Sequence, residues 1–201
     1  MESRLGIVSS ESHLYKDQHA KGLELLSCME RDVLGGMHPE RITTRFGRPS
    51  YSESEFDFNI SHARNLVICT MAQGKTGCDI EYSSRKVNSA VAEKFFHPQE
   101  LDCMANASSE EERRKMFLKL WVLKESHLKL LGSSIANIKE TPPFLIADNS
   151  ILCPPETPFY YSLYEGGGYV MAAAFESKEN RDSLILLKYG DVPDFTLTAV
   201  N

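Results

Sequence analysis

Two acidic residues, Asp79 and Glu81, stand two positions apart in the segment G-C-D-I-E at residues 77–81. On a β-strand, side chains two apart project from the same face, so both carboxylates would point together while Ile80 points away. Two such carboxylates can share a hard cation, because Mg²⁺ is bound in proteins by carboxylate, phosphate and water oxygens. The alternative is an exposed edge strand with two solvated acids, since the D-x-E pattern is common. The pattern therefore predicts a strand and leaves a metal site open.

A second pair of charges, Glu125 and Lys129, interrupts a mostly apolar run at residues 116–131. Apolar residues occupy most of the helical circumference, which predicts a largely buried helix that ends at Gly132. Residues four apart lie on one face of a helix, so the carboxylate and the ammonium would be neighbours. They could form a surface ion pair worth about 0.3–0.5 kcal/mol. Alternatively, Glu125 could complete a metal site while Lys129 holds a phosphate, because unpaired charges on so apolar a helix are costly.

Three shorter motifs offer weaker signals. Ser61 and His62 end a strand-like segment with a hydroxyl and an imidazole, but the G-x-S-x-G motif of a serine hydrolase is absent. The turn G-R-P at residues 47–49 carries one guanidinium that could hold a phosphate, although arginine turns are common. The sequence G-K-T at residues 74–76 is similar to the end of a P-loop, but Cys69 stands where the first glycine belongs. Each motif alone also has an ordinary structural explanation.

The apolar periodicity predicts an α+β fold. Strands are predicted at residues 5–8, 56–62, 66–72, 77–81, 144–147, 159–164, 169–175 and 183–189, and helices at 20–34, 87–96, 98–104 and 113–131. The strands between residues 56 and 81 suggest an antiparallel hairpin. Because no strict β-α-β alternation occurs, a doubly wound parallel sheet is not expected. We expect two similar lobes, residues 1–76 and 77–201, each with a helix packed on a mostly antiparallel sheet.

Composition narrows the class of protein. The 201 residues, of which 42% are apolar and 25% charged, suffice for a hydrophobic core and argue against disorder. No apolar run reaches the roughly 18–20 residues of a membrane span, and the N-terminus does not resemble a signal peptide. We therefore expect a cytoplasmic protein without membrane contact. The net charge of −6 disfavours broad nucleic-acid binding. Five scattered cysteines without a C-x-x-C pair indicate reduced thiols.

The order of the motifs resembles the 4′-phosphopantetheinyl transferase superfamily, in its monomeric, two-lobed Sfp-type branch. The motifs are G-R-P at 47–49, F-N-I-S-H at 58–62, G-C-D-I-E at 77–81 and W-V-L-K-E-S-H-L-K at 121–129. That family has a G-K/R-P turn, an N-I-S-H segment, a G-x-D-I-E strand and a W-x-x-K-E-x-x-x-K helix. The resemblance covers residues 47–131 well, and four ordered motifs outweigh their separate alternatives.

This resemblance implies a reaction. The chain would transfer the phosphopantetheine arm of coenzyme A (CoA) to a serine of an apo acyl or peptidyl carrier protein and release adenosine 3′,5′-bisphosphate. Asp79, Glu81 and Glu125 would bind Mg²⁺, or Mn²⁺, together with the CoA pyrophosphate, which Lys129 would neutralise. Asp79, Glu125 and Lys129 would be the catalytic residues. The serine must lose a proton, and either Glu125 or a metal-bound water would accept it.

The resemblance also implies a CoA-binding set. Its members are Lys21, Gly47, Arg48, Pro49, Ser61, His62, Lys124 and Lys129. Ser61 and His62 would contact phosphates, the turn at 47–49 would lie near the adenylate end, and Lys124 would assist. The family usually has a longer N-terminal region with a basic cluster for the CoA 3′-phosphate. Here Lys21 is the expected contact, and weaker selection against dephospho-CoA is expected.

Two other classes of function remain open. A Mg²⁺-dependent hydrolase of nucleotides or pyrophosphates would use the same carboxylates and lysine, and it would break down CoA without a carrier protein. A non-catalytic module would bind CoA without turnover. Two lobes in one chain would make a monomer sufficient, so we expect a monomer.

Overall fold

The computed structural model describes residues 2–44 and 47–201. The first part of the chain forms β1 (Arg4–Ser9), α1 (Tyr15–Val33), β2 (Arg41–Thr43), β3 (Pro49–Tyr51), β4 (Phe56–Ala63), β5 (Leu66–Gln73) and β6 (Thr76–Tyr82). The middle forms α2 (Ser89–Phe95), α3 (Pro98–Ala105), α4 (Glu110–Leu131) and a 3-10 helix (Ile135–Glu140). The last part forms β7 (Leu145–Ala147), β8 (Ser150–Leu152), β9 (Tyr160–Gly166), β10 (Tyr169–Phe175), α5 (Lys178–Asp182), β11 (Ile185–Tyr189) and β12 (Thr196–Val200). The predicted α+β class is confirmed.

Two larger sheets carry the fold. Their strand orders are β11-β1-β5-β4 and β6-β10-β9-β12-β8-β7, and β2 pairs with β3 separately. Most pairs are antiparallel, whereas β1 pairs with β11 and β12 with β8 in parallel. Strand β11 comes from near the chain end, yet it completes the first sheet. That sheet therefore contains a strand from beyond the expected boundary at residue 77.

The expected hairpin consists of β4 and β5 alone, which pair from Phe56↔Gln73 to Ala63↔Leu66. Strand β6 does not extend it, because it pairs instead with β10, with Asp79 opposite Ala172. The physical reason is burial: β10 is buried along its whole length, so both of its edges need a paired strand. The chain therefore leaves the first sheet after β5 and enters the second with β6.

Helix α4 is the longest helix of the described residues and packs on β6 and β10. The Ser109 hydroxyl accepts a hydrogen bond from the Glu112 amide at 3.1 Å, so the helix begins three residues earlier than predicted. Gly132 ends it in the left-handed conformation with φ 65°, as predicted. The Trp121 ring is buried and stacks on Phe117, with 5.7 Å between centroids. Trp121 therefore belongs to the core.

Helix α1 packs on β1, β4 and β5 and carries a buried carboxylate, Glu30. Glu30 accepts hydrogen bonds from Arg41 at 2.7 Å and from the Tyr51 hydroxyl at 2.8 Å. Burial raises the pKa of Glu30, but these donors outweigh it, so the pKa is lowered and the carboxylate stays charged. Through these hydrogen bonds, Glu30 of α1 connects to Arg41 of β2 and to Tyr51 of β3. Among the helices of the described residues, none combines the length and apolar composition needed to cross a membrane.

Candidate active site

Helix α4 lies directly on β6 at Gly77. A Cβ atom at this position would collide with the carbonyl oxygen of Ser126 and the backbone nitrogen of Leu130. Only a residue without a side chain permits so close an approach of a helix to a strand. Glu125 immediately precedes Ser126, and Lys129 immediately precedes Leu130. The contact at Gly77 therefore brings Glu125 and Lys129 close to the strand that carries Asp79.

Asp79, Lys129 and Ser61 form the centre of the site. The ammonium of Lys129 lies 2.6 Å from Asp79 Oδ1, and the Ser61 hydroxyl donates to the same oxygen at 2.8 Å. Lys129 also donates to Ser61 Oγ at 3.0 Å. Asp79 Oδ2 is buried and has no hydrogen-bond partner. A buried carboxylate oxygen without a donor is costly, and a bound cation would satisfy it.

Glu125 is partly buried next to this centre. Burial, and then the nearby charge of Asp79, raise its pKa to about 7, against the opposing effects of Lys129 and Arg85. For Lys129, burial lowers the pKa, but Asp79 and Glu125 outweigh it and the pKa is raised. At neutral pH Lys129 is therefore charged, whereas Glu125 is balanced between its two protonation states.

Glu81 shares the β6 face with Asp79, as the strand alternation predicted, but its carboxylate forms an ion pair with Arg85. The Arg85 guanidinium lies 5.3 Å from the centre of the Trp121 ring. Within residues 2–44 and 47–201, no three His, Cys, Asp or Glu side chains converge closely enough to hold a metal ion. The predicted set Asp79, Glu81 and Glu125 is thus brought to one region without being assembled into a coordination shell.

The chemistry of these residues fits a hard divalent cation. Three carboxylates supply the oxygen ligands that Mg²⁺ and Mn²⁺ prefer. Asp79 Oδ2 lacks a hydrogen-bond donor, and burial, followed by the charge of Asp79, raises the pKa of Glu125. The small side chain of Ala172 stands opposite Asp79 on β10. A divalent cation would relieve the repulsion between Asp79 and Glu125.

His62, one residue after Ser61, lies at the edge of the same region. Burial, followed by the charge of Lys129, lowers its pKa, so the imidazole is neutral at pH 7. Its ring meets the ring of Tyr15 edge-on, with 5.4 Å between centroids. Tyr15, which is 71% exposed, also stacks loosely on His19 at 6.1 Å. Ring contacts therefore connect His62 to Tyr15 and His19 of α1.

The turn at residues 47–49 positions Arg48 between the two sheets. Its guanidinium donates to both carboxylate oxygens of Asp57, at 3.0 and 2.6 Å, and to the carbonyl oxygens of Phe58 and Thr76. Gly47 adopts φ 80°, and Pro49 begins β3. Arg48 lines a cavity of about 460 Å³, together with residues that include Lys75 and Leu131. The guanidinium is thus engaged by protein oxygens, while the cavity wall remains open to a ligand.

Two residues of the expected CoA-binding set lie elsewhere. Lys124 is 1% exposed and pairs with buried Glu100 at 3.0 Å, so it has no accessible surface to offer CoA. Lys124 lies in the core because a helix buried around most of its circumference places charged residues there as well as near the candidate site. Lys21 pairs with Glu24 at 2.9 Å and lines another cavity, of about 410 Å³, beside residues 9–12.

Four residues of the region went unnoticed in the sequence. Arg85 stands four positions after Glu81, but the intervening loop hides the relation. Tyr15 precedes the predicted helix at residues 20–34, whereas α1 begins at Tyr15. Asp57 and Glu100 have no local signal, because their partners Arg48 and Lys124 are 9 and 24 residues away in sequence. Long-range ion pairs leave no periodic pattern.

Residues 75–174 match the profile of the 4′-phosphopantetheinyl transferase superfamily. The chain belongs to this superfamily, as the ordered motifs predicted. It is 28% identical to the 4′-phosphopantetheinyl transferase HetI of Nostoc sp., over 64% of this chain and 59% of that protein. It is 26% identical to the 4′-phosphopantetheinyl transferase Sfp of Bacillus subtilis, over 75% of this chain and 69% of that protein.

A third relative, the 4′-phosphopantetheinyl transferase gsp of Aneurinibacillus migulanus, is 31% identical over 45% of this chain and 37% of its own length. The matches to the Nostoc and Aneurinibacillus proteins thus span less than two thirds of those relatives. The matched profile contains Asp79, Glu81, Glu125 and Lys129, whereas Ser61 and the 47–49 turn precede it.

Proposed function

We propose that this protein transfers the 4′-phosphopantetheine arm of CoA to a serine hydroxyl of an apo acyl or peptidyl carrier protein. The observation that supports this most strongly is the junction of Lys129, Asp79 and Ser61, with the carboxyl group of Glu125 beside it. A positive charge and a group of acids at one point suit a reaction on a pyrophosphate. The superfamily membership and the names of the relatives supply the reaction type.

Asp79, Glu81 and Glu125 would hold the divalent cation, Mg²⁺ or Mn²⁺, and Glu81 would leave Arg85 to do so. When bound, such a cation neutralises pyrophosphate charge and polarises the phosphoryl oxygens. Lys129 would neutralise charge on the leaving adenosine 3′,5′-bisphosphate, because its ammonium is fixed in place before the charge develops. Its contact with Asp79 keeps the lysine charged at the pH of the reaction.

Glu125 is the proton acceptor that this chain offers. A general base works best when its pKa lies near the operating pH; without a cation, burial and then Asp79 raise the pKa of Glu125 to about 7, and a cation held by its carboxylate would lower that pKa. Ser61 hydrogen-bonds Asp79 and orients it, so Ser61 would act as a positioning residue besides contacting a CoA phosphate. The proton of the carrier serine would thus pass to Glu125 as the oxygen attacks the β-phosphorus.

CoA would bind along the edge where the two sheets meet. Ser61, His62 and Lys129 would contact its phosphates, and the cavity beside Gly47, Arg48 and Pro49 would take the adenylate end. Arg48 would shape this wall through Asp57. We keep Lys21 as a proposed contact for the 3′-phosphate and assign Lys124 no contact with CoA.

The protein partner would be an apo carrier protein. We propose action as a monomer in the cytoplasm, without nucleic acid or membrane, on the grounds of charge and composition given above. The carrier serine would reach the site from the solvent-exposed side of Glu125.

Intact-protein mass spectrometry tests the proposal. The purified protein is mixed with CoA, Mg²⁺ and a panel of apo carrier proteins, with a chelator as the metal control. One phosphopantetheinyl group gained by a carrier, only with metal, is the expected result. CoA consumed without any gain on a carrier would instead indicate a hydrolase. CoA bound but left intact on every carrier tested would indicate a binding module.

A further inference from the structure

Lys124 is the residue before Glu125, yet its side chain points into the core. Its ammonium pairs with Glu100 Oε2 at 3.0 Å and donates to Thr141 Oγ1 at 2.9 Å. The exposed fractions of the two charged side chains are 1% for Lys124 and 0% for Glu100. The rings of Phe96 and Phe144 lie 5.7 and 5.9 Å from the ammonium. The pair is therefore sealed from solvent on every side.

Glu100 uses its carboxylate for more than this ion pair. Oε1 accepts a hydrogen bond from the Phe144 amide at 2.9 Å, and Oε2 accepts one from the His97 amide at 2.7 Å. His97 caps α3, and Phe144 precedes β7. A single carboxylate thus joins the beginning of α3, the middle of α4 and the segment that enters β7.

The energetics of such a pair favour a role in positioning. Removing two charges from water costs about as much as their attraction returns, so well-packed apolar residues often give equal stability. An ion pair and an apolar contact differ in how strictly they fix the geometry. An ion pair with satisfied hydrogen bonds admits one arrangement of its side chains, whereas packed apolar side chains allow one helix to shift along the other. The pair around Lys124 therefore selects a particular seating of α4 against α3.

The seating of α4 determines the geometry of the site. Successive helical residues are about 100° apart, so any rotation of α4 that moves Lys124 also moves Glu125. On its other side, α4 rests on Gly77, where β6 comes closest. The helix is thus fixed from two directions, by Gly77 against the backbone of Ser126 and Leu130 and by Glu100 at Lys124.

We propose that the Lys124–Glu100 pair is a positioning device that holds Glu125 and Lys129 in register with Asp79. Neither member of the pair touches CoA, the cation or the carrier serine. The role rests on the proposed function, since it concerns the same cation and pyrophosphate site.

The test replaces the pair without leaving a lone buried charge. The variants are Lys124→Met, Glu100→Gln and the double variant. Each single change is expected to lower the melting temperature, because it strands one buried charge, and the double variant is expected to recover most of the loss. The affinity for Mn²⁺, measured by electron paramagnetic resonance, is expected to be roughly 10-fold or more lower in the double variant than in the wild type. In metal-free protein, the nuclear Overhauser contact between Gly77 and Leu130 is expected to weaken too.

A matched control is the partly exposed ion pair between Lys119 on α4 and Glu165 on β9, whose charged atoms lie 2.6 Å apart. The double variant Lys119→Met with Glu165→Gln is expected to leave all three readings unchanged. A Lys124–Glu100 double variant that melts like the wild type and keeps wild-type Mn²⁺ affinity and the Gly77–Leu130 contact would overturn the proposal. A wild type that binds Mn²⁺ but modifies no carrier would defeat the proposed function alone. If the wild type binds no Mn²⁺, the Gly77–Leu130 contact decides the positioning role.

Discussion

The hydroxyl of Ser61 donates to Asp79 Oδ1 across the junction of the two sheets, at 2.8 Å. Ser61 lies on β4 of the first sheet and Asp79 on β6 of the second. Lys129 of α4 reaches both residues. The candidate site therefore depends on how the two sheets and α4 pack together. A substitution that shifts either sheet or α4 should change the hydrogen bonds of Asp79.

Replacing Asp79 by asparagine tests the centre of the site. The change keeps the shape but removes the charge that Lys129 and a cation would need, so transfer is expected to fall by about 10²-fold or more. Circular dichroism spectra should remain those of a folded protein. Glu110→Gln, at an exposed position at the start of α4, is the control and should keep full activity. Full transfer by the Asp79 variant would refute the assignment of the metal site.

Gly77→Ala tests the close approach of α4 to β6. A methyl group at this position meets helix backbone, which has little freedom to move, so α4 must shift. Urea titration is expected to show a free energy of unfolding that is lower by roughly 1–3 kcal/mol. Phosphopantetheine transfer should fall at least 10-fold in the protein that remains folded. At Gly6 the corresponding methyl meets the flexible end of Met29, so Gly6→Ala should leave transfer intact.

Protein stability without metal should depend on pH through Glu125. Its folded-state pKa of about 7 exceeds the unfolded value, so between about pH 4.5 and 7 the folded state binds more protons. The free energy of unfolding should therefore decrease as pH rises through this window, by about 1–3 kcal/mol, and then level off. Urea titrations with a chelator at pH 5, 6 and 8 measure this. Glu125→Gln should remove this contribution, and an unchanged pH slope in that variant would contradict it.

Trp121→Ala is expected to destabilise the fold rather than change the chemistry. The change removes a buried ring stacked against Phe117 and creates a cavity, at a cost of about 3–5 kcal/mol. Trp121→Phe, which preserves an aromatic ring at this position, should lose much less stability. Because Trp121 is the single tryptophan of the chain, unfolding must be followed by circular dichroism instead of tryptophan fluorescence.

Local sequence determined the elements and the order of the charged motifs. The alternation around Asp79 and Glu81 predicted their common face on β6, and the helical spacing predicted that Glu125 and Lys129 are neighbours on α4. Gly132 marked the end of the helix because its conformation favours glycine. These predictions succeed because strand alternation, helical periodicity and helix ends depend on residues a few positions apart.

Tertiary structure alone decided which elements meet. The pairing of β6 with β10, the return of β11 to β1, and the contact of Ser61 with Asp79 join residues far apart in sequence. The same holds for Lys124, whose charge is taken up by Glu100 within the core rather than by a ligand. Packing of apolar surfaces governs these contacts, and it depends on the shape of the whole chain rather than on local residue spacing.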